Sequence, residues 1–324
     1  MSAAAGSSAL QTELAGLYDV DRTVINLDAA YYGAMTREVQ AHYFERLMWV
    51  NRYNSTFLRS AVQGMPRDPE LHKSRAAVAH LIGAAPDEVT LCGGGTEALY
   101  SLIVNYRPLK AGDAVMVEEP GWSVEFARLT ALGMRVLPVP RRVDGPDLAV
   151  MARYCEEHAP KLFVSVSVFH NPTGCCLSPA AAHRVLQLAH RFGFHVVEDD
   201  TYSHIAPEHA TRLTALDGLQ RTIYVSGFAK ILAPNWRIGF MAAPSDLVEP
   251  LLDTKLLSTL TTPALLEKAL AICIEQGQLR RHAERIRTRL DAARARTVQR
   301  ARGSGCPGGA DPAGGLGGVQ RIRG

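Results

Sequence analysis

Short apolar runs recur along the chain, and many are apolar on consecutive residues instead of alternating with polar ones. Consecutive apolar positions fit strands covered on both faces, whereas a half-exposed strand alternates with a period of two. Seven strands are predicted on this basis, at Glu88–Cys92, Ala114–Val117, Arg135–Val139, Leu162–Val168, His195–Val197, Ile223–Val225 and Ile238–Ala242. Amphipathic stretches of helical spacing lie between them, among them Glu97–Asn105, Val124–Leu132 and Pro179–Phe192. The alternation predicts an α/β fold, a three-layer sandwich around a mostly parallel seven-stranded sheet. Ligands of such folds sit at the carboxyl ends of the strands, on the loops that lead into helices.

Beyond the last strand, Ser245–Arg302 reads as helical with Pro250 and Pro263 as punctuation, and from Leu279 onward as a long, basic, exposed helix. Gly303–Gly324 is rich in Gly, Pro and Arg, lacks apolar periodicity and is expected to be disordered. The organisation expected is an N-terminal segment over 1–60, a large domain over 61–250, the helical start of a small domain over 251–302 and the tail over 303–324. Hydrophobic residues at 47% suffice for a sizeable core, and 35 Lys and Arg against 32 Asp and Glu leave a net charge of +3 with no basic stripe. That balance argues against nucleic acid or an anionic membrane as partner. The longest apolar stretches, such as Leu162–Phe169, are too short to cross a bilayer. Met1–Ser8 lacks the cationic start and apolar core of a signal peptide, so a cytoplasmic location is expected. Cys92, Cys155, Cys175, Cys176, Cys273 and Cys306 show no zinc-ligand spacing, so neither a metal site nor disulfides are expected.

Five segments carry candidate chemistry. Lys230 follows the strand-like run Thr222–Val225, with Arg237 seven residues on. A nucleophilic amine must lose its proton easily, and a neighbouring guanidinium both favours the neutral amine and can clamp a phosphate. Gly93-Gly94-Gly95-Thr96 follows one strand and opens a helix, which is either a plain turn or a phosphate cradle of backbone N–H groups. Glu118-Glu119-Pro120-Gly121-Trp122 offers an aromatic ring that either packs in the core or stacks on a planar ligand. His170-Asn171-Pro172-Thr173-Gly174 is a turn by composition, with Asn171 as a possible donor. Glu198-Asp199-Asp200-Thr201-Tyr202 puts carboxylates directly after an apolar strand, where a buried one needs a cation.

Together and in this order, the segments resemble the class I/II pyridoxal-phosphate-dependent aminotransferases of fold type I, firmly over Val89–Pro244. Asn171-Pro172-Thr173-Gly174 and the Lys230-to-Arg237 segment are the specific parts of the likeness. The resemblance implies a pyridoxal 5′-phosphate cofactor, an amino acid and a 2-oxo acid as substrates, and a homodimer. It makes Lys230 the Schiff-base lysine and proton shuttle, with Asp199 paired to the pyridine nitrogen and Asn171 and Tyr202 on the ring oxygen. Trp122 would stack on the ring; Gly94, Gly95, Thr96 and Arg237 would hold the phosphate, with Ser226 as a helper.

There are departures from the pattern. The family's serine three residues before the lysine is Gly227 here, and Ser226 lies one residue earlier. Ile25–Met35 and Asn51–Ser55 look more like class V relatives; they imply that Tyr31, Tyr32 and Gly33 touch substrate and that Tyr53 reaches the phosphate of a partner subunit. The small C-terminal domain is incomplete, and a truncation or reading-frame slip near Arg300 is expected, so no arginine for the substrate carboxylate can be named. The expected reaction is amino-group transfer; epimerase, lyase or cyclase chemistry, or an inactive regulatory or vestigial protein, are the alternatives.

Overall fold

The computed structural model describes residues 16–21, 23, 34–59, 69–207, 209–232, 234–248, 250–251 and 262–303. The strands are β1 Val89–Cys92, β2 Ala114–Glu119, β3 Arg135–Pro140, β4 Leu162–Ser165, β5 His195–Asp199, β6 Thr222–Gly227 and β7 Gly239–Ala242. They form one sheet in the order β1-β7-β6-β5-β4-β2-β3. From β3 to β6 every pairing is parallel, and β7 runs antiparallel to both β6 and β1. The carboxyl ends of β1, β2, β4, β5 and β6 therefore share one edge with the start of β7.

The helices are α1 Arg37–Arg59, α2 Pro69–Ile82, α3 Gly95–Asn105, α4 Ser123–Ala131, α5 Leu148–His158, α6 Pro179–Phe192, α7 Leu213–Asp217, α8 Ala264–Glu275 and α9 Gln278–Gly303. Strand alternation explains the layers. Val115, Val117, Leu162, Val164, Val197, Ile223, Val225 and Met241 cluster with α3 and with Leu129 of α4 on one face. Their neighbours Met116, Phe163 and Val196 cluster with α5 and α6 on the other face, and Tyr224 and Phe240 cluster there with α2, α8 and α9. Both residue parities are consumed by core, which is why the strands read as unbroken apolar runs.

Local chemistry sets the element ends. In α6, the Ser178 hydroxyl accepts from Ala181 N, Pro179 opens the first turn and Gly193 closes the helix in a left-handed conformation. Its stripe Ala182, Val185, Leu186 and Ala189 is buried at helical spacing. Strand β4 ends at Ser165, short of the expected Val168, because Val166 N donates to the Glu118 carboxylate at 3.0 Å instead of continuing the ladder. Helix α3 starts at Gly95 with Gly94 as its N-cap, so Thr96 lies inside the first turn and does not cap it. The expected long basic helix is α9, which buries Leu279 and Ala283. Its sequence holds nine arginines against two acidic residues, the basic excess expected there. The expected disorder of the tail falls beyond Gly303, outside the described residues.

Candidate active site

The β6–β7 connection is a hairpin turn whose two ends meet at the register pair Gly227↔Gly239, and Gly239 also pairs with Cys92 of β1. Lys230 leaves one arm and Arg237 enters the other, so seven residues of sequence separation become a shared strand edge. The Gly-rich loop after β1 lies directly on this hairpin. A Cβ on Gly239 would stand 2.6 Å from the Gly94 carbonyl carbon and 2.7 Å from Gly95 N. Gly94 itself has φ +93°, and a Cβ there would meet Arg237 Nη2 at 2.8 Å. Both positions need glycine, the first for close backbone approach and the second for conformation as well.

Arg237 has φ +48°, a left-handed conformation that costs energy for a residue with a Cβ. That turn brings its guanidinium against Gly94, at the N-terminus of α3, where the first-turn N–H groups have no intrahelical acceptor. Among the described residues Arg237 makes no ion pair. Backbone donors, the helix dipole and an uncommitted guanidinium together make an anion cradle.

Lys230 is half-buried in a turn closed by Leu232 N to Phe228 O (2.8 Å), while Phe228 N donates to Ile238 O (3.1 Å) across the hairpin. Phe228 is buried, stacks on His204 at 5.0 Å between centroids and packs on Phe240, which fixes the turn from below. Ser226 corrects the expectation of a phosphate helper. Its hydroxyl donates to Asp200 O at 2.7 Å and pairs with Ser203 Oγ at 3.0 Å, on the Tyr224 side of β6, because residues 224 and 226 share a face. Gly227 has the opposite parity and lies over α3, where a Cβ would be 3.3 Å from Gly239 Cα and 3.5 Å from Gly95 N. The missing serine hydroxyl at 227 is thus the consequence of a tight β6–β7 contact.

The three successive acids at the end of β5 divide between the faces. Glu198 accepts from Leu213 N (2.7 Å) and Thr214 N (2.8 Å) at the start of α7, and Asp200 holds Arg212 Nε (2.6 Å) and the Tyr224 hydroxyl (3.0 Å). Asp199 has the opposite parity, that of Val197. Its Oδ1 accepts from Thr201 N and Oγ1, and among the described residues Oδ2 has no hydrogen-bond partner. Burial pushes the Asp199 carboxyl up; the Thr201 hydrogen bonds and the Arg128 charge oppose this, and the Asp200 charge adds to it. A cation at Oδ2 would relieve that penalty. Trp122, half-buried, caps α4 and has the Arg128 guanidinium 5.7 Å from its ring centroid. Asn171 is exposed, in a turn closed by Gly174 N to His170 O at 2.6 Å. Tyr202 is half-buried just past β5, its carbonyl accepting from Ile205 N and Ala206 N.

Sequence reasoning missed Glu125 and Arg128, which form a buried ion pair on α4. Their only sequence signal was an i,i+3 acid–base pair in the helix after Trp122. Among the described residues Glu125 Oε1 has no hydrogen-bond partner, and burial, with the Asp199 charge adding to it, pushes this carboxyl up to about 7 against the opposing Arg128. The folded state thus binds a proton that the unfolded chain, at an ordinary 4.5, releases earlier. This contribution is fully present below pH 4.5 and is lost as pH rises through about 7. Glu125→Gln removes the loss: relative to wild type it is expected to gain about 3 kcal/mol between pH 4.5 and 8, read from denaturant melts across that range.

Tyr31, Tyr32 and Gly33 lie outside the described residues, as does the Tyr53 side chain. The rest of the set fits pyridoxal phosphate: an anion cradle at Gly94, Gly95 and Arg237, a lysine just past β6, and, at the end of the neighbouring β5, a carboxylate with an unused oxygen. Fold and site together define the fold type I class of pyridoxal-phosphate proteins.

The chain belongs to the aminotransferase class I and II family, whose family model matches residues 58–307. It is 32% identical over 219 residues to the 2-aminoadipate transaminase of Thermus thermophilus, covering 66% of this chain and 54% of that protein. It is 27% identical over 235 residues to the uncharacterized HTH-type transcriptional regulator YcxD of Bacillus subtilis, over 72% of this chain and 52% of that one. Among solved structures it resembles LysN, the α-aminoadipate aminotransferase of Thermus thermophilus complexed with N-(5′-phosphopyridoxyl)-L-leucine. The TM-score is 0.73 at 26% identity, over 88% of this chain and 74% of that one. The chain spans about half the length of the curated relatives it matches.

Proposed function

We propose that this chain forms the cofactor-binding domain of a pyridoxal-phosphate-dependent aminotransferase that moves an amino group between an amino acid and a 2-oxo acid. The observation that carries the reading is the convergence of Lys230, Arg237 and Gly94 on the Gly227↔Gly239 hairpin. When bound, pyridoxal phosphate supplies an aldehyde carbon open to an amine and a ring that takes up electrons from the substrate Cα. Arg237 and the α3 N-terminus bind its phosphate and so fix its distance from Lys230. Lys230 Nζ would be the nucleophile toward that aldehyde carbon and, once displaced by substrate, the base that carries the Cα proton. Asp199 Oδ2 would hold a proton on the pyridine nitrogen, Asn171 and Tyr202 would hydrogen-bond the ring oxygen, and Trp122 would set the ring plane. Thr96, exposed in the first turn of α3, adds a hydroxyl beside the phosphate.

The protein acts as a homodimer in the cytoplasm on this reading. Phe44, Leu47 and Met48 on α1 and Tyr100 and Val104 on α3 are exposed apolar side chains that support a subunit contact. The test is a panel of amino donors, 2-aminoadipate among them, offered with 2-oxoglutarate to protein loaded with cofactor. Formation of the donor's 2-oxo acid in step with glutamate is expected. Bound cofactor with no transfer from any donor would overturn the assignment and favour a regulatory domain, the role in the name of YcxD.

A further inference from the structure

A buried ionic cluster lies beneath the carboxyl ends of β2, β3 and β4. Glu118, at the end of β2, is 2% exposed. Its carboxylate accepts from Arg141 Nη1, from Ser165 Oγ at 3.1 Å and from Val166 N at 3.0 Å, and it lies 3.3 Å from His170 Nε2. Arg141 follows β3 and also donates to Val166 O at 3.3 Å. The other nitrogen of His170, Nδ1, is 3.0 Å from Thr173 Oγ1. Burial alone would push the Glu118 carboxyl up, yet Arg141 and His170 bring it below its ordinary value, so it is the anion that holds the cluster.

We propose that Glu118 is a positioning residue: through Arg141 and His170 it holds the Asn171 turn and the Trp122 loop in one arrangement. One side chain ties three loops, and two of them carry groups assigned above to the cofactor ring. Asn171 directly follows the clamped histidine, and Thr173, bonded to the same ring, lies just beyond it. Trp122 lies four residues past Glu118. Asn171 is exposed, so its placement depends on the backbone that His170 anchors. Arg141 Nε and Nη2 are buried without partners among the described residues, so Glu118 is also what makes the guanidinium tolerable there.

This inference rests on Asn171 being a ring-oxygen donor, and three variants separate the two claims. Glu118→Gln removes the anion. The double variant Glu118→Gln/Arg141→Met removes both charges and avoids a lone buried cation. His170→Gln leaves the Glu118–Arg141 pair intact and cuts its link to the Asn171 turn. Amide exchange over residues 170–176 in the cofactor-free proteins is expected to quicken about tenfold in each. In the loaded proteins the pH midpoint of the visible band is expected to rise by about one unit, since a misplaced donor favours the ring oxygen's anion less. The kcat is expected to fall about tenfold, with KM for the amino donor nearly unchanged. Lower melting temperatures with native exchange, band midpoint and kcat would mean a purely structural cluster and overturn the proposal, as would native values in His170→Gln. A wild-type protein with no visible band would instead defeat the cofactor reading itself.

Discussion

Lys230→Ala is expected to reduce amino transfer by about 10⁴-fold or more, measured as kcat under saturating donor and acceptor. The size follows from two roles held by one nitrogen. On the proposed reading the amine is both the covalent anchor and the proton carrier, and no second lysine stands on the β6–β7 turn between Gly227 and Gly239 to replace it. The hairpin should survive, because its backbone bonds run through Phe228, Ile238 and Leu232, and Phe228 supplies the buried contact. Phosphate binding should survive as well, since Arg237 and the α3 N-terminus are untouched. The variant is thus expected to melt close to wild type and to bind cofactor reversibly, removable by dialysis. A variant that kept more than a tenth of wild-type kcat would mean that Lys230 is not the nucleophile.

Gly239→Ala has the second large expected effect, and it acts through packing. The added Cβ would meet backbone atoms of Gly94 and Gly95 at 2.6–2.8 Å, and no flexible side chain is there to swing aside. Relief requires β1 or the Gly-rich loop to move off β7. Overpacking of this kind is expected to cost about 3 kcal/mol of stability, read from denaturant midpoints. The same displacement separates the α3 N-terminus from Arg237, so cofactor affinity, read by equilibrium dialysis, is expected to fall about 10²-fold. Gly16→Ala is the control, with nothing within 4 Å of its added methyl, and should change neither quantity. Loss of stability with unchanged affinity would show that the cradle does not depend on the loop's seat against β7.

The fold was legible because burial on both faces writes itself into composition: β2, β4, β5 and β6 are apolar at consecutive positions. Turn chemistry marked the site, since glycines, Asn171-Pro172 and the Lys230–Arg237 spacing are local signals. What the sequence withheld was pairwise. Glu118 and His170 are 52 positions apart and meet only once β2 and β4 lie side by side. The direction of the Ser226 hydroxyl depends on strand parity, which an apolar run does not reveal, and the same parity assigns Asp199 and Asp200 to opposite faces. Glu125 stands in a stretch that reads only as an amphipathic helix; that it is buried and feels the Asp199 charge from the end of β5 appears only in the fold. Helix α3 begins at Gly95, two residues before the expected Glu97, because Gly94, with its positive φ, takes the cap position.

The central claim is that the amine of Lys230 and the phosphate cradle of Gly94, Gly95 and Arg237 serve one pyridoxal-phosphate molecule. The direct measurement is borohydride reduction of the cofactor-loaded protein, followed by proteolysis and mass spectrometry of the peptides. One equivalent of reduced cofactor on the peptide containing Lys230, blocked by excess inorganic phosphate in wild type and weakened in Arg237→Ala, is the predicted result. Label at another lysine, or labelling of Lys230 indifferent to Arg237, would contradict the account.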